Sequence, residues 1–357
     1  MLQYESELEI SRILVEWYET YKRELPWRET RDPYIIWISE IILQQTRVVQ
    51  GLEYFLRFTE RFPDVASLAV AEEDEVLKYW QGLGYYSRAR NLHAAAKSIM
   101  ERFNGVFPEN YKEVLSLKGI GEYTAAAIVS FAWNQPCPVV DGNVYRVLSR
   151  YLGIDTPIDS TEGKKLFAAV ADELLDKKNP ALYNQAIMDF GAIQCSPQSP
   201  NCMFCPLASG CSALAGGMVA QLPVKQHKTK TTNRYFNYIY VRMGAYTLIN
   251  KRTGNDIWKN LFEFPLIETP EAVSEEEFPA LPELRAMFAE GETPIIGLVC
   301  RDVKHVLSHR VIYANFYMVD LPENSQSFTS YQKIKADELE QYAVSRLVHA
   351  FIEKYIN

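Results

Sequence analysis

Leu117-Lys118-Gly119-Ile120-Gly121-Glu122-Tyr123-Thr124-Ala125 joins two stretches of helical periodicity, Tyr111–Leu117 before it and Thr124–Trp133 after it. Two glycines two apart let the backbone turn tightly. They also leave N–H groups exposed at a helix N-terminus, which suits a phosphate. Most such turns between helices are only turns, so the neighbouring sequence has to decide.

Outward from this turn the chain keeps a 3.6-residue period. Leu8 to Lys22 carries apolar residues at Ile10, Ile13, Leu14, Trp17 and Tyr21, a helical spacing. Asp32-Pro33 reads as an N-cap followed by proline in the first turn. Further helical stretches are expected over Tyr54–Arg61, Glu72–Trp80, Ala89–Phe103, Val144–Leu152, Gly163–Asp176 and Tyr183–Cys195. No alternating strand pattern occurs before Pro223, so this half is expected to be all-α. Gln221 to Asn233 is polar and basic, a linker. Beyond it the period changes to two. Phe236–Val241, Ala245–Ile249 and Val311–Met318 read as strands, and Ala336–Tyr355 holds helical pieces. The second half is therefore expected to be α+β.

Of the six cysteines, four lie at Cys195, Cys202, Cys205 and Cys211, a C-x6-C-x2-C-x5-C spacing punctuated by Pro197, Pro200 and Pro206. Four thiolates on one compact loop can surround a 4Fe-4S cluster, one cysteine to each iron. A four-cysteine zinc site is the rival, but such sites usually pair two C-x2-C knuckles and only one occurs here. Cys137 and Cys300 stand alone, as buried core thiols often do.

Two carboxylates have telling surroundings. Glu40 lies in the apolar run Tyr34-Ile35-Ile36-Trp37-Ile38-Ser39-Glu40-Ile41-Ile42-Leu43. Desolvation there raises its pKa and can keep it protonated near neutral pH, as a general acid requires. A buried glutamate satisfied by hydrogen bonds would look the same. Asp141, in Val140-Asp141-Gly142-Asn143-Val144, reads as the N-cap of the following helix or as part of an Asp-Gly turn. A capping carboxylate is held in place and expected to stay ionised. Two carboxylates with different proton affinities are a recurring apparatus for cleaving a bond at a glycosidic carbon.

The net charge is −8. Between Glu268 and Glu292 eight acids face one base, and removing that segment leaves −1. Within the remainder Lys225, His227, Lys228, Lys230 and Arg234 form a basic stretch without an acid. Bulk charge thus neither supports nor forbids nucleic-acid binding. No run of eighteen apolar residues and no signal-peptide pattern at Met1–Ile10 occurs, so no membrane association and a cytoplasmic location are expected.

The glycine turn with its downstream aspartate resembles a helix-hairpin-helix DNA-binding element. Together with the cysteine spacing it resembles the endonuclease III superfamily of base-excision glycosylases. Three blocks look like its adenine glycosylase (MutY) family: Leu25-Pro26-Trp27-Arg28; Trp37-Ile38-Ser39-Glu40 with Leu43-Gln44-Gln45-Thr46; and Gly82 to Leu92. The resemblance implies a helical catalytic region over residues 1–222, with a six-helix barrel over about 31–136 and a cluster domain from 1–30 and 137–222. A linker over 223–233 and a Nudix-like domain over 234–357 would follow. It implies an iron–sulfur cluster and a monomer acting on double-stranded DNA with adenine opposite 8-oxoguanine or guanine.

By the same resemblance Glu40 would protonate the adenine and Asp141 would stabilise the sugar cation, with Tyr123 and Asn143 positioning them. Trp27 and Arg28 would line the pocket for the flipped base, and Gln45 and Tyr85 would fill the space it leaves. Gly119 and Gly121 would meet the DNA backbone, and Ser308 and His309 would read the lesion. Bifunctional relatives have Lys where this chain has Tyr123, so base removal without a lyase step is expected. The chain departs from the family in Leu307, where Phe is usual, and in Lys118, where Pro is usual. It also lacks an acidic Nudix box, so pyrophosphate hydrolysis is not expected.

Overall fold

Helices account for the chain up to Ala215, and among the described residues no strand precedes Thr232. They are α1 (Leu2–Tyr21), α2 (Pro33–Leu43), α3 (Val48–Arg61), α4 (Val65–Val70), α5 (Glu73–Tyr79), α6 (Ser87–Phe103), α7 (Tyr111–Leu115), α8 (Glu122–Trp133), α9 (Gly142–Leu152), α10 (Thr161–Leu174), α11 (Pro180–Ile193) and α12 (Ser212–Ala215). The coordinates form a computed structural model that describes residues 2–227 and 230–356, with side chains from residue 9. Lys228 of the basic stretch and linker lies outside the described residues. The backbone divides into two compact units. One is Met1–Val70 with Asn91–Lys228, the other Ala71–Arg90 with Thr229–Asn357.

Local chemistry sets the helix ends in the first unit. The Asp32 carboxylate accepts the Tyr34 N–H at 2.9 Å, and Pro33 occupies the first helical position. Asn110 caps α7 and Ser160 caps α10 by the same means. Asn134 ends α8 in the left-handed conformation that asparagine tolerates. Apolar faces then meet. Leu14, Trp17, Val147, Leu148, Phe167 and Phe190 form one core joining α1, α9, α10 and α11. Trp17 and Phe190 pack edge to face at 5.0 Å. Helices α2 and α8 are buried almost throughout, which puts any polar side chain on them in an apolar setting.

The second unit is built on strands. A four-stranded sheet has the order β4 (Leu266–Thr269), β1 (Thr232–Arg242), β6 (Arg310–Asp320), β5 (Ile296–Val306). Beside it lies a three-stranded sheet of β3 (Phe262–Glu263), β2 (Tyr246–Lys251) and β7 (Gln332–Lys335). Strands β1 and β6 run parallel and are covered on both faces, as parallel pairs usually are. Phe236, Tyr238 and Phe316 face one core, closed by Phe351 of α13 (Arg346–Tyr355) stacked on Phe316 at 4.3 Å. Ile239, Val241 and Tyr317 face the other, where Phe278 stacks on Tyr317 at 3.7 Å. This period-two division is what the alternating sequence anticipated. Strand β5 runs to Val306, and Leu307–His309 form the turn into β6. Among the described residues no helix is long and apolar enough to cross a membrane.

Candidate active site

Glu40 projects from the buried helix α2, at 7% relative exposure. Burial pushes its carboxyl up to about 7, and the negative charge of Asp141 adds to the rise. A hydrogen bond from Tyr123 and the Arg28 guanidinium oppose it. The Tyr123 hydroxyl donates to Glu40 Oε2 at 2.6 Å. Tyr123 sits in the first turn of α8, directly after the glycine turn, so the hairpin delivers this phenol to the acid. Burial and the neighbouring carboxylates hold the phenol well above its ordinary pKa, and it remains a donor.

Asp141 caps α9. Its Oδ1 accepts the Asn143 and Val144 backbone N–H groups, each at 2.8 Å, and Oδ2 accepts Asn143 Nδ2 at 2.7 Å. The cap is as the sequence suggests, and the Asp-Gly hairpin turn is not formed. Its proton affinity moves differently from the expectation. Burial raises the carboxyl above the usual carboxylate range, and the three donated bonds with Arg146 only partly offset this. Arg146 ties the region together. It donates to Asn143 Oδ1 at 2.8 Å, to Gly142 O at 3.2 Å and to Cys195 O at 2.7 Å.

Glu40, Tyr123, Asp141, Asn143, Trp27, Arg28 and Gln45 line one cavity of about 310 Å³, with Arg23, Gln44 and Gln185. That size lies at the lower end of ligand pockets. Gln45 stands exposed with φ 57°, a strained conformation for a residue with a side chain. Arg28 is held by Asp189 at 2.5 and 2.7 Å, and Arg23 also binds Asp189. Sequence reading did not single out Asp189, Arg23, Arg146 or Gln185. Asp189 in Met188-Asp189-Phe190 is an acid on an otherwise apolar helix face, the same signal that drew attention to Glu40.

At the hairpin Gly119 has φ 81°, and a Cβ there would stand 2.6 Å from Asn91 Cβ. Only glycine meets both demands. Gly121 is the N-cap of α8, with open space where its Cβ would be. The four clustered cysteines line a separate small cavity together with Arg150. Arg150 is buried, donates to Ser196 O and Pro197 O, and places Nη1 3.4 Å from Cys195 Sγ. Among the described residues no three His, Cys, Asp or Glu side chains converge on the position of a single metal ion.

The second unit has its own cavity of about 450 Å³, lined by Tyr85, Arg90, Trp258, Leu307, Ser308 and His309 among others. Gly84 and Tyr85 are both left-handed, with φ 71° and 46°. Arg88 holds this turn by donating to Gly84 O at 3.2 Å, and Tyr85 stands 44% exposed rather than packed in a core. Ser308 Oγ and His309 Nδ1 lie 2.8 Å apart. Leu307 packs against the core containing Phe316, while Ser308 and His309 are exposed. The structure thus gathers Glu40, Asp141, Tyr123, Asn143, Trp27, Arg28 and Gln45 in one cavity and Tyr85, Ser308 and His309 in another.

Two family models match the chain. The HhH-GPD superfamily base excision DNA repair protein model covers residues 38–171, and the NUDIX domain model covers 237–354. The adenine DNA glycosylase of Buchnera aphidicola subsp. Baizongia pistaciae (strain Bp) is 35% identical over 306 residues, 85% of this chain and 83% of the relative. That of Buchnera aphidicola subsp. Acyrthosiphon pisum (strain APS) is 33% identical over 324 residues, 90% of each. A thermostable thymine-DNA glycosylase structure matches with a TM-score of 0.57 at 28% identity, over 60% of this chain and 100% of that one. A buried acid, a capped aspartate and a glycine hairpin on this helical scaffold accord with those matches, and the chain belongs to the adenine DNA glycosylase family of base-excision repair hydrolases.

Proposed function

We propose that the protein removes adenine paired with 8-oxoguanine or guanine in double-stranded DNA by hydrolysing the N-glycosidic bond, without a lyase step. The observation that carries this is the shared cavity of Glu40, whose carboxyl holds its proton to about pH 7, and Asp141, fixed by three donors. The adenine must leave the stack to reach such a cavity. Glu40 passes its proton to N7 of the flipped base, so that the glycosidic electrons depart with a neutral adenine. The Asp141 carboxylate faces the sugar cation as charge develops at C1′. Water then supplies hydroxide to C1′ and returns a proton to Glu40. Tyr123 and Asn143 position the two carboxyl groups, and Trp27, Arg28 and Gln45 bound the base.

Tyr123 supports the absence of a lyase step, because a phenol cannot form the Schiff base that a lysine amine forms. Four thiols around one cavity beside the buried Arg150 cation suit a 4Fe-4S cluster. When bound, the cluster supplies a rigid cross-link for the loop 195–211. Cys195, Cys202, Cys205 and Cys211 would be its ligands. In the second unit, Ser308 and His309 beside Tyr85 offer donors for 8-oxoguanine.

The test is a duplex with adenine opposite 8-oxoguanine, its products compared with and without alkali. Strand cleavage only after alkali is expected. Cleavage without alkali refutes the monofunctional mechanism, and no product in either arm refutes the glycosylase.

A further inference from the structure

Arg28 and Glu40 line the same cavity, yet the structure does not pair them. The guanidinium is turned to Asp189 instead. Arg28 Nη1 donates to Asp189 Oδ2 at 2.5 Å and Nη2 to Oδ1 at 2.7 Å. Arg23 reinforces the carboxylate through its backbone N–H, at 3.2 Å from Oδ2, and Nε, at 3.0 Å from Oδ1. The Asp189 side chain is wholly buried on α11. Burial alone would raise its carboxyl, but Arg28 and then Arg23 hold it below the usual carboxylate range.

Groups on three elements act on Glu40: Tyr123 on α8 through its hydrogen bond, and Asp141 at the start of α9 and Arg28 in the turn Pro26–Arg28 through their charges. Helix α3 also packs against α2 and adds no charge acting on Glu40. Arg28 is the cation among them, and its present effect on Glu40 is weaker than those of burial, Tyr123 and Asp141. A guanidinium paired directly with a carboxylate would strip the proton that a general acid must deliver, since an opposite charge within about 4–6 Å lowers a carboxyl pKa by about 1–3 units.

We propose that Asp189 is a positioning residue for proton transfer: by clamping Arg28 it keeps the guanidinium from pairing with Glu40, which then retains its proton for the leaving base. The proposal rests on the glycosylase function above. Neutralising Asp189 leaves two partly buried arginines, Arg23 and Arg28, without their anion, and Glu40 is the other carboxyl whose charge acts on Arg28.

Single-turnover excision of adenine opposite 8-oxoguanine, followed from about pH 5 to 9 with the whole chain, reads the pH midpoint of Glu40. For D189N the midpoint should move toward acid by about one pH unit, with excision at pH 8 about tenfold slower. The double variant D189N/R28Q should return the midpoint to that of R28Q alone, even where substrate binding is weaker. A purely structural role would slow excision at every pH and leave the midpoint in place, and that result overturns the proposal. A double variant that keeps the D189N shift overturns it too. If D189N does not fold, D189S, which also removes the anion that clamps Arg28, must still move the midpoint toward acid; an unmoved midpoint is a refutation. If wild-type protein excises no adenine, the function fails on its own. The clamp is then read from the pH dependence of the stability difference between the protein and E40Q, measured with and without D189N. An acid shift of that dependence supports the clamp and no shift refutes it.

Discussion

Glu40→Gln offers a test of the site that needs no DNA. In the folded protein the carboxyl titrates at about 7, against an ordinary 4.5, chiefly because it is buried. Below pH 4.5 it is neutral in both folded and unfolded chains, and the folded state loses nothing. As pH rises from 4.5 towards 7 the unfolded chain releases its proton while the folded chain keeps it, so stability falls. Above 7 the penalty is complete. A gap of about 2.5 pH units corresponds to about 3 kcal/mol. Glutamine escapes that penalty and can still accept the Tyr123 hydrogen bond, which spans 2.6 Å to Glu40 Oε2. Urea unfolding at pH 5 and pH 8.5 therefore has a definite expectation. At pH 5 the variant should gain little, and at pH 8.5 it should gain about 2–3 kcal/mol. A difference between the two proteins that stays constant across this range would mean that Glu40 titrates normally, and the general-acid assignment would fall with it. The same substitution should abolish excision, so stability would rise where activity disappears.

Other consequences follow from the same geometry. Asp141→Asn keeps a good N-cap residue, so stability should change by less than about 1 kcal/mol while single-turnover excision falls at least about a hundredfold; loss of the fold with activity in parallel would reduce Asp141 to a cap. Gly119→Ala places a methyl against Asn91 at a left-handed position, and should cost about 1–3 kcal/mol and weaken binding to matched and mismatched duplex alike, measured by denaturation and fluorescence anisotropy. Cys202→Ala should remove visible absorbance near roughly 400 nm from purified protein; an unchanged spectrum would exclude Cys202 as a ligand.

Much of this was open to view in the linear chain. Helical period before residue 215 and alternation after 232 follow from where apolar residues recur, because burial of one face is decided by spacing alone. Glu40 stood out because an acid in an apolar run must be desolvated wherever the helix goes. Asp141 stood out because capping is a contact within three residues.

Other features lie beyond the chain's linear pattern. Asp189 carries the same signature as Glu40, yet its partners Arg28 and Arg23 are 161 and 166 residues away, and local pattern holds no information on such distances. The grouping of Ala71–Arg90 with Thr229–Asn357 is likewise a matter of packing. So is the direction of the Asp141 shift: the capping bonds are local and lower its pKa, but the burial that outweighs them comes from side chains distant in sequence. Spacing along the chain determines which face of an element is apolar and which residues cap it. Which charges then face one another, and how dry their surroundings are, is settled only when distant elements close around them, since desolvation and Coulomb energy depend on separation in space.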